Sequence, residues 1–412
     1  MQLNVGKQGF GPGDQEWGYV TVRPKAHMFW WLYYTTANVL EYEDKPLIIW
    51  LQGGPGVSGT GFGNFEELGP LNTQLKPRNH TWVKDYNVVF IDNPVGTGFS
   101  YVESLELLVN NNEQIAKDLM YCVKEFFKKF PNFSKTPTYI LAESYGGKMT
   151  VEFAYLWYHE QVQGRINSNF QGIGLVDSLI SSNDMYASIA SYLFNFGLID
   201  TNGYKIIANT ANQYIKSSNA GDWSKALYLA NEIEYLMQNQ TYRVDRYNVI
   251  KEVKLNYYAE SISVYNLSRS LYSDELKKTM KMVMDTLDLE SIWGVQEIAV
   301  NRALYLDSRK PVVHYVEKLL NETNIKVFVF NGQLDLIINT PGTLSWIEKL
   351  NWKYSDVWLK SKRLPLVVNN IIEGYSKGYG NFKFYWVNRS GHMIPADNPV
   401  AMESILRDLI YS

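Results

Sequence analysis

One cysteine, Cys122, stands among 412 residues, so no intrachain disulfide can form and stability must come from packing. Within the amphipathic run from Ile115 to Phe127 its thiol reads as a small core residue rather than a nucleophile. Long apolar runs are also missing: Leu47 to Leu51 and Val327 to Phe330 fall far short of the ~18 residues that a membrane span requires. No block of like charge occurs. With 39 basic against 42 acidic residues and a formal net charge of −3, the chain has no footprint for nucleic acid or a polybasic membrane contact, which leaves a small molecule or a peptide as partner. A His-Glu-x-x-His run is absent, and with it the zinc-peptidase reading. Gly146-Gly147-Lys148 fails as a phosphate loop, because Ala142 and Met149 stand where that motif needs Gly and Ser or Thr, and Glu143 would repel phosphate. No motif asks for a metal or a cofactor, and neither a repeat nor a low-complexity segment interrupts the chain.

What is present begins at Thr138-Tyr-Ile-Leu-Ala142-Glu143-Ser144-Tyr145-Gly146-Gly147-Lys-Met149, a β-rich run that stops at a serine and resumes with helix-compatible residues. A strand that turns sharply into a helix with one side chain left at the tip needs small residues two positions either side, here Ala142 and Gly146. Ser144 is therefore the candidate nucleophile of an α/β-hydrolase elbow. In that fold the partners follow in the order Ser, Asp or Glu, His, each on a loop after a later strand. Lys326 to Phe330 reads as a strand breaking into Asn331-Gly332-Gln333-Leu334-Asp335, which makes Asp335 the candidate acid. Phe382 to Val387 reads as another, followed by Asn388-Arg-Ser-Gly391-His392-Met-Ile-Pro395. Of the chain's five histidines, His392 alone sits where the order demands a base, so it is taken as catalytic rather than as an ordinary core or surface residue.

Elsewhere, two aromatic-rich strands, Tyr19 to Val22 and His27 to Tyr34, flank a hairpin turn at Arg23 to Ala26. Pro46 to Leu51 is a further strand ending in Gln52-Gly53-Gly54-Pro55-Gly56. That glycine turn exposes backbone N–H groups suited to an oxyanion hole, Gly54 acting with the N–H of Tyr145. Strands such as Val88 to Asp92, alternating with helical stretches such as Asn112 to Phe130, predict one enlarged α/β domain with a mostly parallel central sheet. From about 181 to 308 the pattern changes. Leu227, Ala230, Ile233 and Met237, then Leu276, Met280, Met284 and Leu287, recur at helical spacing, so the expected organisation is core residues 1–180, a helical cap insertion at 181–308 with core-facing methionines forming one wall of the cleft, and core again at 309–412.

Together, Trp50 to Gly56, Ala142 to Gly147, Gly332 to Asp335 and Gly391 to Pro395 resemble the four motifs of the serine carboxypeptidase family, W-L-N-G-G-P-G, G-E-S-Y-x-G, G-x-x-D and G-H-x-x-P. The resemblance is densest over Trp17 to Asp177 and Lys326 to Pro399. It implies an acid-favouring enzyme that removes C-terminal residues from peptides through an acyl-enzyme, without a cofactor. Ser144, Asp335 and His392 match the family's triad, and Gly54 and Tyr145 its oxyanion pair. Gln52, Gly53 and Glu143 match the positions that hold the substrate's C-terminal carboxylate, while Glu67 matches a second glutamate pairing with the first.

Three residues depart from that pattern. Gln52 replaces Asn and moves its amide outward by one methylene, Ala142 replaces the first Gly of the elbow, and Val57 stands where members carry Cys or Gly. An esterase or acyltransferase using the same triad, and a non-catalytic member serving as a protective or binding partner, stay open as alternatives. Acceptor patterns for glycosylation occur at Asn79, Asn132, Asn239, Asn266, Asn321 and Asn388, as in a secretory lumen. The first residues carry no apolar signal region, so the expectation is a secreted or lysosomal (vacuolar) protein whose signal has been removed.

Overall fold

The computed structural model describes residues 7–252 and 272–412. Its strands are β1 (Lys7–Gln8), β2 (Asp14–Arg23), β3 (Ala26–Tyr33), β4 (Leu47–Leu51), β5 (Asn87–Ile91), β6 (Tyr101–Val102), β7 (Pro137–Glu143), β8 (Asn169–Val176), β9 (Lys326–Gly332), β10 (Leu364–Val368), β11 (Ile371–Tyr379) and β12 (Phe382–Val387). All join one sheet in the order β1-β2-β3-β5-β4-β7-β8-β9-β12-β11-β10, with β6 beside β3. The middle six, β5-β4-β7-β8-β9-β12, run parallel, and antiparallel strands close both edges. A parallel sheet needs cover on both faces, and for that reason Leu47-Ile-Ile-Trp-Leu51 is an unbroken buried run instead of an alternating one.

Alternate strand residues feed two cores. Ile49, Leu51, Ile140 and Ile173 face α1 (Asn112–Lys129) and α2 (Tyr145–Val162), whereas Ile48, Trp50 and Leu141 face the C-terminal helix Pro399–Tyr411. α1 forms because Asn111 caps it by accepting from Gln114 N at 3.0 Å, two lysines close its last turn, and Ile115, Leu119, Val123 and Phe126 make one buried stripe. Cys122 lies in that stripe, where burial pushes its thiol up to about 12 and keeps it inert. Aromatic stacking supplies part of the cohesion, as between Trp157 and Phe170 with centroids 4.7 Å apart.

The helical stretch holds two groups. α3 (Ser182–Asn195), α4 (Thr201–Asn219) and α5 (Trp223–Gln240) bury Leu193, Ile207, Tyr214 and Ile233 in a core of their own, together with Leu334, Leu336 and Ile338. α6 (Asp274–Leu287) instead lays Leu276, Met280, Val283 and Leu287 onto the core of the main sheet. Two expected positions shift: Leu227 is half-buried while Ala226 and Leu229 turn inward, and Met284 only borders the core that Val283 enters. Both strips drift because 3.6 residues per turn moves the inward face by a residue over a few turns. The hairpin of β10 and β11 was not anticipated. Its residues are half-exposed on a sheet edge, so their pattern lacks the full burial that marks the inner strands.

Candidate active site

Four candidate residues sit beyond the C-terminal ends of parallel strands, where open α/β sheets place their sites: Gln52 after β4, Ser144 after β7, Asp335 after β9 and His392 after β12. Ser144 adopts φ 59° and ψ −125°, a strained conformation costing ~1–3 kcal/mol. The surroundings hold it there: its N–H donates to Val176 O at 3.0 Å, and its carbonyl accepts from Leu179 N at 2.9 Å. Glu143 and Tyr145 are buried on either side, and Ser144 is left partly exposed.

Asp335 and His392 are brought together although 57 residues separate them. Asp335 is fully buried; its Oδ1 accepts from Ile337 N at 2.8 Å and Ile338 N at 3.1 Å, and its Oδ2 lies 2.6 Å from His392 Nδ1. With Nδ1–H donating to that carboxylate, Nε2 is the nitrogen left to accept a proton. Gly332 and Gly391 permit this approach, since a Cβ on Gly332 would stand 2.1 Å from Gly391 O. The Tyr247 ring lies across the imidazole with centroids 5.4 Å apart, and Tyr247 O accepts from His392 N at 2.7 Å.

The glycine turn packs straight onto the elbow. A Cβ on Gly53 would meet Ser144 Cβ at 2.6 Å and Tyr145 N at 3.0 Å, so no larger residue fits without moving Ser144. Among the described residues, neither the Gly54 N–H nor the Tyr145 N–H donates to another protein atom.

Beside the elbow lie two buried carboxyls. Glu67 arrives on Gly59–Leu68, a wide helical turn whose i−5 hydrogen bonds (Gly63 N to Ser58 O, Gly69 N to Asn64 O) reel the chain inward. Gln52 clamps the pair: Nε2 donates to Glu67 Oε1 at 3.0 Å and to Glu143 Oε1 at 2.8 Å, and Oε1 accepts from Trp50 Nε1 at 2.6 Å. Both amide hydrogens are thus engaged. Burial pushes Glu67 up to about 7, and burial followed by the charge of Glu67 drives Glu143 well above the carboxyl range, so Glu143 is held un-ionised in acid.

Asp177, at the end of β8, is a participant that the motifs did not reveal. Its Oδ1 accepts from Asn331 Nδ2 at 2.7 Å and Gly332 N at 2.8 Å. Burial first and the charge of Asp335 second raise it well above the usual range, which favours its neutral form beside the Asp335 carboxylate. A carboxylate directly after a buried strand was the available signal. Carboxyls raised in this way bind their protons more tightly folded than unfolded, so their stabilisation is complete below an unfolded value of ~4 and is lost as pH climbs through the folded one. Tm is therefore expected to fall between about pH 5 and pH 8, and a Tm that climbs over that interval would contradict the raised carboxyls. Glu160 acts in the opposite sense: held down at about 2, chiefly by Arg165, it loses its contribution only in stronger acid.

These groups open into a cavity of about 690 Å³ lined by Gln52, Glu143, Ser144 and His392 on the sheet side and by Tyr186, Glu234, Arg246 and Arg309 on the other. Residues of the 181–308 stretch thus form a wall of the cleft. Among the described residues no helix is long and apolar enough to cross a membrane.

The serine carboxypeptidase family profile matches residues 7–412, and the chain belongs to that family: it is a serine-type carboxypeptidase, a hydrolase of α/β-hydrolase fold. It is 39% identical over 402 residues to retinoid-inducible serine carboxypeptidase of Mus musculus, covering 93% of this chain and 89% of that one. Serine carboxypeptidase-like 51 of Arabidopsis thaliana is 36% identical over 430 residues, covering 95% and 91%. In fold the chain is similar to the crystal structure of Kex1(delta)p, a prohormone-processing carboxypeptidase from Saccharomyces cerevisiae, with a TM-score of 0.82 at 22% identity over 96% of this chain and 91% of that one.

Proposed function

We propose that Ser144, His392 and Asp335 hydrolyse the last peptide bond of a substrate whose free carboxylate is held by Glu143 and the Gly53 N–H. Ser144 Oγ attacks the carbonyl while His392 Nε2 takes its proton and Asp335 steadies the resulting imidazolium. The oxyanion is received by the N–H groups of Gly54 and Tyr145. The imidazolium then protonates the departing amino acid, and water, activated by the same base, releases the acyl group from Ser144. To Gln52 we assign a narrower part than direct binding of the carboxylate: with both N–H bonds engaged, it holds Glu67 and Glu143 in register.

The observation that carries this reading is the buried Glu67–Glu143 pair clamped by Gln52 beside the elbow, where burial raises both carboxyls. A triad alone would serve an ester hydrolase equally well, but an un-ionised Glu143 can donate to a peptide's terminal carboxylate, and only in acid. An acidic secretory or lysosomal compartment fits the same chemistry. Of the glycosylation candidates, Asn79, Asn132, Asn239 and Asn321 are exposed, Asn388 is half-exposed, and Asn266 lies outside the described residues. The whole scheme is tested by a serine-directed phosphonate: stoichiometric inactivation with the adduct mapped to Ser144 is expected, and an unlabelled Ser144 would refute it.

A further inference from the structure

Of the two guanidiniums lining the cavity, one is in ion-pair contact with a carboxylate among the described residues. Arg246 Nη1 is ion-paired with Glu234. Arg309 has no carboxylate within 4.0 Å among the described residues; its Nη1 donates to Tyr186 OH at 2.9 Å, and its Nε is buried without a partner. The arginine is firmly mounted. Its carbonyl accepts from Ser182 Oγ at 2.8 Å, Ser182 in turn accepts from Tyr214 OH at 3.0 Å, and the Tyr186 and Tyr214 rings pack with centroids 4.5 Å apart. A partly buried guanidinium with no carboxylate in ion-pair contact and an unpartnered Nε, on an open cavity, is completed by an anion, and its planar fork suits a carboxylate.

We propose that Arg309 forms a subsite for an acidic side chain, that of glutamate or aspartate, on the penultimate residue of the peptide. This rests on the carboxypeptidase reading above and adds a substrate class to it. Position selects the penultimate residue. The terminal carboxylate is assigned to Glu143, whose strongest charged neighbours are Glu67, Asp177 and Asp335. Arg309 acts instead with Tyr186, Tyr214 and Glu234. Held through Ser182 and Tyr186, it shares no hydrogen-bond partner with Glu143 although both line the same cavity, and we assign its part of that cavity to the acyl half of the substrate. Glu297, the other acidic residue on the lining, is engaged with Tyr272, leaving Arg309 as the anion-seeking group.

The test compares N-acylated dipeptides with a free C-terminus, X-Leu and Leu-X with X = Glu, Gln or Lys, at about pH 5.5, where a glutamyl side chain of ordinary pKa ~4.3 is ionised. We expect kcat/KM for Glu-Leu to exceed that for its isostere Gln-Leu by about 10-fold or more, with no such gain for Leu-Glu over Leu-Gln. Arg309→Met should bring the Glu/Gln ratio near one, and Arg309→Glu should turn the preference toward Lys-Leu. A wild-type ratio near one, a ratio that survives in the Met variant, or an acidic preference at the C-terminal position would each overturn the subsite, and the wild-type arms decide even if the variants fail to fold. Turnover of Gln-Leu would show that the carboxypeptidase reading stands whichever way the ratio falls.

Discussion

Ser144→Ala is expected to lower kcat by about 10⁴- to 10⁶-fold while leaving the far-ultraviolet circular dichroism and the cooperative melt of the protein in place. The size of the loss follows from the chemistry, since the substitution removes the atom that forms the acyl-enzyme, and neither Glu143 nor the oxyanion N–H groups can replace it. The mildness toward the fold follows from position: the side chain is partly exposed at the tip of the turn, and the hydrogen bonds that hold the elbow, Ser144 N to Val176 O and Leu179 N to Ser144 O, are made by backbone atoms. Alanine at φ 59° removes no contact that keeps β7 and α2 together. Asp335→Asn should cost about 10⁴-fold, because an amide facing His392 Nδ1 favours the wrong tautomer. Steady-state assays of the purified variants decide the matter, and retention of more than a few percent of activity by Ser144→Ala would mean that another residue is the nucleophile.

Peptides with a free C-terminus are expected to be cleaved best in acid, with KM rising as pH passes upward through the titration of the raised Glu67–Glu143 pair. The sign follows from what each state can do. Below that titration an un-ionised Glu143 can donate to the substrate carboxylate, and above it two anions would face a third. His392 makes the opposite demand, because a base must be neutral to accept a proton, which favours higher pH. Peptide amides and neutral esters need only the second condition, so their kcat/KM should keep improving toward neutrality. Glu143→Gln, a donor at every pH, should flatten the rise in KM for free-carboxylate peptides. In the unmodified enzyme at acidic pH, the gain for a free carboxylate over its amide should be about 10- to 100-fold, the worth of one hydrogen bond to a charged group. Identical pH profiles for the two substrate types would remove Glu143 from carboxylate recognition and leave the triad untouched.

Much of the site was legible because it is built on local signals. The residues 138–149 run spelled an elbow, since a strand, a small residue, a serine and glycines occur within one short window, and β7, the strained Ser144 and α2 appear there. The order of Asp335 and His392 after their strands was readable for the same reason, each being a strand end followed by a loop. The half-exposed hairpin of β10 and β11 escaped because burial on both faces is what makes a parallel strand conspicuous, and an edge strand lacks it. Asp177 and Arg309 escaped for another reason. Neither belongs to a motif, and their meaning lies in what surrounds them: Asp335 in one case, and in the other a cavity on which Arg309 has no carboxylate in ion-pair contact among the described residues.

Residue order alone determined the class of chemistry, because a nucleophile, an acid and a base must each follow a strand and strands announce themselves by composition. It also determined that no disulfide could help hold the fold. Only the tertiary structure decided how protons and charges are arranged in the site. Gln52 lies 15 residues from Glu67 and 91 from Glu143, yet it donates to both, and the pair's raised proton affinity comes from burial and mutual repulsion. Chain position specifies neither burial nor repulsion: both depend on the low-dielectric surroundings and short through-space distances that exist once the sheet has closed.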